Sequence, residues 1–178
     1  SADWIVHLAG VNRPLNEQEF IDGNVMLTQK IADILRQAEK QTPIILSSSI
    51  QAERDNAYGQ SKLGGEQALL DLYQQQGNPV YIFRLANVFG KWSRPNYNSA
   101  VATFCYNTAN DLPVQIHDEN VMIRLVYVDD VVESFWNIIQ GTQQVKQVFA
   151  IQPEYQISVG ELAQTLKGFK ESRNTLIT

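Results

Sequence analysis

The sequence predicts an α/β fold on a parallel sheet, of the partial Rossmann type, followed by a small additional α/β part. Three observations carry this. Short apolar runs recur as "DWIVHLAG", "TPIILSSS" and "NPVYIFRLANVFG". They are continuously apolar, as strands covered on both faces are. Between them lie two segments with helical spacing. Strand, helix, strand, helix, strand at these lengths implies right-handed βαβ units.

The elements follow in order. The first run ends at Gly10 and passes into a polar loop, "VNRPLNEQ". A helix is expected from Asn24 to Lys40, with Val25, Ile31, Ile34 and Leu35 on its apolar side. Pro43 starts the second strand and three serines, Ser47, Ser48 and Ser49, end it. "YGQSKLGGEQALLDLYQQQG" reads as a helix stopped by Gly77. The third strand runs towards Gly90. Beyond it lie a polar and aromatic loop, "KWSRPNYNS", and a helix, "AVATFCYNTAN". Strands are expected at "LPVQIH", "VMIRLVYV" and "QVFAIQ". "DDVVESFWNIIQ" is a helix whose Asp129 and Asp130 suit its first turn. The last helix, "ISVGELAQTLKGF", takes Ser158 as N-cap and Glu161 as capping-box partner. "ESRNTLIT" reads as a frayed end.

Composition limits the function classes. Fourteen Lys and Arg against nineteen Asp and Glu give a net charge of -5, and no basic run occurs, so no nucleic-acid partner is expected. No apolar stretch approaches the roughly 20 residues of a membrane span. The single cysteine, Cys105, allows no internal disulfide and reads as a small buried hydrophobe. With no signal sequence at the start, this points to the cytoplasm. His7 and His117 stand far apart without acidic or cysteine neighbours, so no metal site is expected. His7 reads as a strand residue packed near the sheet.

Tyr58 and Lys62 are spaced i, i+4, one turn apart on one helix face. They follow the serine-ended strand by one short loop, at the rim where open α/β sheets place ligands. A free phenol titrates near pH 10, so acid–base work at neutrality asks for roughly 4 kcal/mol of help. A neighbouring ammonium supplies part of this. A serine hydroxyl can hold a carbonyl or hydroxyl against the phenol.

"HLAG", "SSS…YGQSK", "RLANVFG" and "RLVYVDDVV" stand in the order and approximate spacing of the extended short-chain dehydrogenases/reductases that act on nucleotide sugars. The resemblance spans nearly the whole chain. More narrowly, "HLAGVNRP", "LSSSIQA", "NVFGKW", "PNYNSAVATFCY" and "YVDDVV" resemble the capsular-polysaccharide epimerase–reductases, which make the precursor of UDP-N-acetyl-L-fucosamine. The resemblance implies reduction of a 4-keto UDP-2-acetamido-2,6-dideoxy sugar with NADPH, NAD being the other possible cofactor. It implies a catalytic Ser49, Tyr58 and Lys62. Tyr58 would donate the proton, with Lys62 lowering its pKa and holding the nicotinamide ribose. Ser49 would orient the substrate, with Ser48 in reserve. Leu8, Ala9 and Gly10 would pass the cofactor, and Asn87 and Arg124 would touch the UDP-sugar. Arg124 reads equally well as a surface ion-pair residue. Arg13 and Lys91 read as solvated loop cations before phosphate contacts.

The resemblance also implies organisation. Residues 1–90 would be the C-terminal half of a dinucleotide-binding Rossmann domain. Residues 91–178 would be mostly substrate-binding, with a strand and a helix returning to the Rossmann sheet. The Gly-rich βαβ unit that grips pyrophosphate has no counterpart here. The chain therefore reads as beginning at the fourth strand of a longer enzyme, without the family's C-terminal metal-binding cupin domain. The Trp4–Leu8 strand would then present an edge to be covered by another segment or chain, and the fragment alone would bind NADPH weakly. Relatives often form homodimers through the Tyr58 helix, and Gly64 and Gly65 read as packing residues that let this helix approach a neighbour closely, either the sheet or a partner helix. Ile50 and Gln51 follow Ser49 where sugar 4,6-dehydratases carry an Asp-Glu pair, which ranks dehydratase below reductase. The alternatives are a UDP-hexose 4-epimerase with bound NAD and a non-catalytic NADP-binding relative.

Overall fold

The computed structural model describes residues 2–141 and 147–172. The chain forms two compact units, Ser1–Leu85 with Glu133–Ile151, and Ala86–Val132 with Gln152–Thr178. The apolar run that leads to Gly90 breaks at Ala86, and its tail, Asn87–Phe89, joins a different sheet.

The first unit holds a four-stranded parallel sheet in the order β1-β2-β3-β6, with β1 Ile5–His7, β2 Ile44–Ser49, β3 Val80–Leu85 and β6 Val148–Phe149. Proline carbonyls set the strand starts, with Ile5 N donating to Pro43 O and Ile44 N to Pro79 O. One face packs Ile44, Leu46, Val80 and Ile82 against Ala32, Leu35, Leu69 and Leu72 of the covering helices. The other face carries an aromatic row in which Phe83 lies 4.6 Å from Phe135 and 4.8 Å from Phe149. Both faces are covered, which explains the unbroken apolar runs. Strand β1 lies at the sheet's edge, where Val6 is 42% exposed.

The first helix departs from expectation. It begins early, as α1 Gln18–Phe20, widens into a π-helical stretch Ile21–Met26, and continues as α2 Leu27–Gln37. Its buried stripe is Asn24, Thr28, Ala32 and Leu35, with Ile31 half-buried, whereas Ile34 is 56% exposed. The stripe keeps helical spacing but starts with two polar residues, so a purely apolar reading missed its first turns. The wide turn falls where Asn24 clamps the loop after β1, donating to Val11 O and accepting from Val11 N.

Helix α3, Ala57–Gln76, is capped by the Asn56 side chain, which accepts from Gly59 N at 2.8 Å, and ends at a left-handed Gly77. Gly64 and Gly65 do serve packing, against this chain's own helix. A Cβ on Gly65 would come 2.9 Å from Asn24 O and 3.4 Å from Thr28 Oγ1; one on Gly64 would meet Val25. Gly65→Ala is therefore expected to destabilise by about 1–3 kcal/mol despite the better helix propensity of Ala. Gly168→Ala, with nothing near its added methyl, should instead stabilise by up to about 1 kcal/mol. Chemical denaturation of both variants checks the pair; equal effects would remove the close-packing account.

The second unit holds β4 Asn87–Phe89, β5 Met122–Tyr127 and β7 Tyr155–Ser158, in the order β4-β5-β7, parallel then antiparallel. Helix α4 is Ala100–Ala109 and α6 is Val159–Glu171, with the expected Ser158–Glu161 capping box. Helix α5, Val128–Ile139, passes from this unit into the first. The expected strand "LPVQIH" does not form; the segment has no ladder partner, and Asn107 donates to its Pro113 O. Strand β7 was not anticipated. Of "ESRNTLIT", residues 173–178 lie outside the described residues. Among the described residues no helix is long and apolar enough to cross a membrane, and no His, Cys, Asp and Glu cluster suits a metal.

Candidate active site

The site begins where β2 ends. Ser49 leaves the strand and caps a single 3-10 turn, Ile50–Glu53, its hydroxyl accepting from Gln51 N at 3.2 Å. This turn is the short loop seen in the sequence. It packs on the first turn of α3 because Gly59 has no side chain there; a Cβ would collide with the carbonyl oxygens of Gln51 and Arg54. Tyr58, next to Gly59, is half-buried, and its phenol lies near enough to the Ser49 side chain to feel it electrostatically. Phe20 supports its ring, with centroids 5.5 Å apart.

One turn further, the Lys62 ammonium donates to Ser47 O at 2.8 Å, and the Ser47 hydroxyl donates to His7 O. Three successive strand-end residues thus have separate tasks. Ser47 ties Lys62 and β1 to β2. Ser49 faces Tyr58. Ser48 points to the opposite side, is 5% exposed and donates to the Glu66 carboxylate. The expectation that Ser48 stands in reserve for Ser49 is corrected, because alternate strand residues face opposite ways.

Burial dominates the electrostatics. It raises the Tyr58 pKa above its ordinary value, and the Ser49 side chain opposes it. A raised pKa keeps the phenol protonated at neutral pH, as a proton donor requires. Burial lowers the Lys62 pKa, while the charge of Glu66 raises it. Burial and then Lys62 lower the His7 pKa. His7 Nε2 lies 3.0 Å from Thr28 Oγ1, which itself donates to Asn24 O, so the His7 nitrogen is the donor.

Three contributors escaped the sequence reading. Asn24 is 4% exposed and donates to Ser61 Oγ at 2.9 Å, while Ser61 donates to Tyr58 O at 2.7 Å. Glu66 is 1% exposed and is gripped by Arg84, Nη2 to Oε2 at 2.7 Å and Nε to Oε1 at 3.0 Å. The available signals were the i, i+4 step from Lys62 to Glu66 and the polar start of the first helix's buried stripe.

The remaining expected residues are placed as follows. Leu8, Ala9 and Gly10 are exposed just after β1, Leu8 by 62%. In the second unit, Asn87 Nδ2 donates to Arg124 O at 2.9 Å. Arg124 forms a two-point ion pair with Glu154, at 2.6 and 2.7 Å. Lys91 pairs with Asp129 at 2.9 Å.

Residues 1–151 match the sequence profile of the NAD dependent epimerase/dehydratase family. The chain belongs to this family. Over all 178 residues it is 52% identical to the UDP-2-acetamido-2,6-beta-L-arabino-hexul-4-ose reductase of Pseudomonas aeruginosa, of which it covers 48%. The crystal structure of the capsular polysaccharide assembling protein CapF from Staphylococcus aureus superposes with a TM-score of 0.84 at 46% identity, covering 97% of this chain and 46% of that one. A UDP-glucuronic acid 4-epimerase from Bacillus cereus, solved in complex with NAD, shares the fold, with a TM-score of 0.82 at 20% identity; 95% of this chain and 60% of that one are covered. The chain thus spans about half the length of the first two relatives.

Proposed function

We propose that this chain carries the proton-transfer centre of a reductase acting on the 4-keto group of a UDP-2-acetamido-2,6-dideoxy-hexulose, with NADPH as reductant. The observation that carries it is the meeting of Ser49, Tyr58 and Lys62 at the end of β2, where Lys62 is anchored on Ser47 O, in a chain 52% identical to a reductase of that name. Ser49 holds the sugar carbonyl. Tyr58 gives its proton to the oxygen as the carbonyl becomes a hydroxyl, and Lys62 stabilises the phenolate left behind.

The residues fit a nicotinamide ribose. Lys62 commits one of its three donors to Ser47 O, leaving two for ribose hydroxyls. Gly10 lets the loop after β1 pass close to Asn24 beside the site, since a Cβ there would stand 2.8 Å from Asn24 Oδ1. When bound, the reduced cofactor supplies the hydride. The proposed enzyme works in the cytoplasm, as a homodimer.

The test is to mix the intact protein with NADPH and the keto sugar. Stoichiometric oxidation of NADPH with formation of the 4-hydroxy sugar is expected. Sugar isomerisation without net cofactor change would overturn the reading in favour of a 4-epimerase. Asn87 and Arg124 are proposed sugar-nucleotide contacts, Arg124 by turning from Glu154 to a phosphate. Arg124→Ala should raise the KM for the UDP-sugar about tenfold, roughly 1.4 kcal/mol. An unchanged KM would leave Arg124 as an ion-pair residue alone.

A further inference from the structure

Beneath the site lies a charged group that proton transfer does not itself require. The Glu66 carboxylate, 1% exposed, binds Ser48 on one side and Arg84 on the other. Arg84 continues to the exposed Glu53 at 3.0 Å, in the turn that Ser49 caps. The network thus joins helix α3, the end of strand β2, strand β3 and the turn between β2 and α3. Ser48 immediately precedes Ser49, and Glu66 lies one turn beyond Lys62. An apolar filling would suit a buried helix–sheet contact as well or better, since buried ion pairs often add little stability.

We propose that Glu66 is a positioning residue for catalysis. Its carboxylate, fixed by Arg84, pins Ser48 so that Ser49 stands beside Tyr58, and it lies one helix turn beyond Lys62. The charged and titratable groups that act on Lys62 are His7 from β1 and Glu66 from its own helix, which also carries Tyr58 one turn before it; the Ser47 carbonyl faces it from β2. Asn24 and Thr28, from the first helix, are neutral. Glu66 is the anion among them that favours the charged ammonium.

The sign follows. Removing the Glu66 charge makes Lys62 lose its proton at lower pH. The alkaline limb of the kcat profile should then move towards neutrality.

The proposal rests on the reductase reading, and the experiment separates the two. In the intact protein, Glu66→Gln is expected to lower kcat about ten- to a hundredfold, with KM for cofactor and sugar within about threefold of wild type, and to move the alkaline limb to lower pH. Ser48→Ala should lower kcat about fivefold or more without moving that limb, because it breaks the pin and leaves the charge. The paired replacement Glu66→Met with Arg84→Met removes the network and keeps the volume. It should fold with an undiminished melting temperature and still show the low kcat and shifted limb. Wild-type kcat and pH profile in that pair, or in Glu66→Gln, would overturn the proposal. So would loss of kcat in Glu66→Gln with an unmoved limb, which would mark Glu66 as scaffold. Full activity of Tyr58→Phe would instead overturn the reductase reading.

Discussion

Tyr58→Phe in the intact protein is expected to lower keto-sugar reduction by about 10³-fold, within the 10²–10⁴ range that one positioned general acid contributes. The fold should be unaffected. The ring stays against Phe20, and Ser49, beside the lost hydroxyl, keeps its bond from Gln51 N. Melting temperature within a few degrees of wild type, together with unchanged cofactor affinity, separates this outcome from unfolding. Burial raises the Tyr58 pKa and so makes the phenol the weaker acid, and the proton transfer therefore leans on Lys62 to stabilise the phenolate. Retained turnover would show that another group supplies the proton, and the role given to Lys62 would fall with it.

Much of the scaffold was readable because its signals are local. Strands buried on both faces write continuous apolar runs, and the Gly77 and Ser158 ends of helices write their own caps. The Ser49, Tyr58 and Lys62 set was readable because strand end and helix start are close in sequence. What escaped depends on partners distant in the chain. Asn24 meets Ser61 across 37 positions, and Glu66 meets Arg84 and Ser48 across 18. Polar residues without a visible partner read as solvated. Burial, which sequence spacing does not report, raises the Tyr58 pKa and outweighs the effect of the Ser49 side chain. "LPVQIH" carried a strand composition, but a strand needs a neighbour to pair with.

Asn24→Ala should be the most damaging polar substitution for stability. The amide side chain satisfies Val11 N, Val11 O and Ser61 Oγ from a site 4% exposed. Its removal leaves these groups short of partners in a region closed to water, at about 1–3 kcal/mol for each that stays unsatisfied. A total near ~3 kcal/mol corresponds to a fall in melting temperature of roughly 10 °C for a domain of this size. Asn24→Leu distinguishes polarity from volume. Leucine fills the space but offers no hydrogen bond, so it should lose as much as alanine; near-complete rescue would mean that packing alone matters. Activity should fall further than stability alone dictates, even well below the melting temperature. Val11 N and O fix the backbone beside Gly10, and Ser61 holds the carbonyl of Tyr58 itself. One amide therefore connects the segment proposed to pass the cofactor with the helix turn that carries the proton donor. A variant with normal kcat at a temperature where it is fully folded would show that these two segments keep their alignment without it.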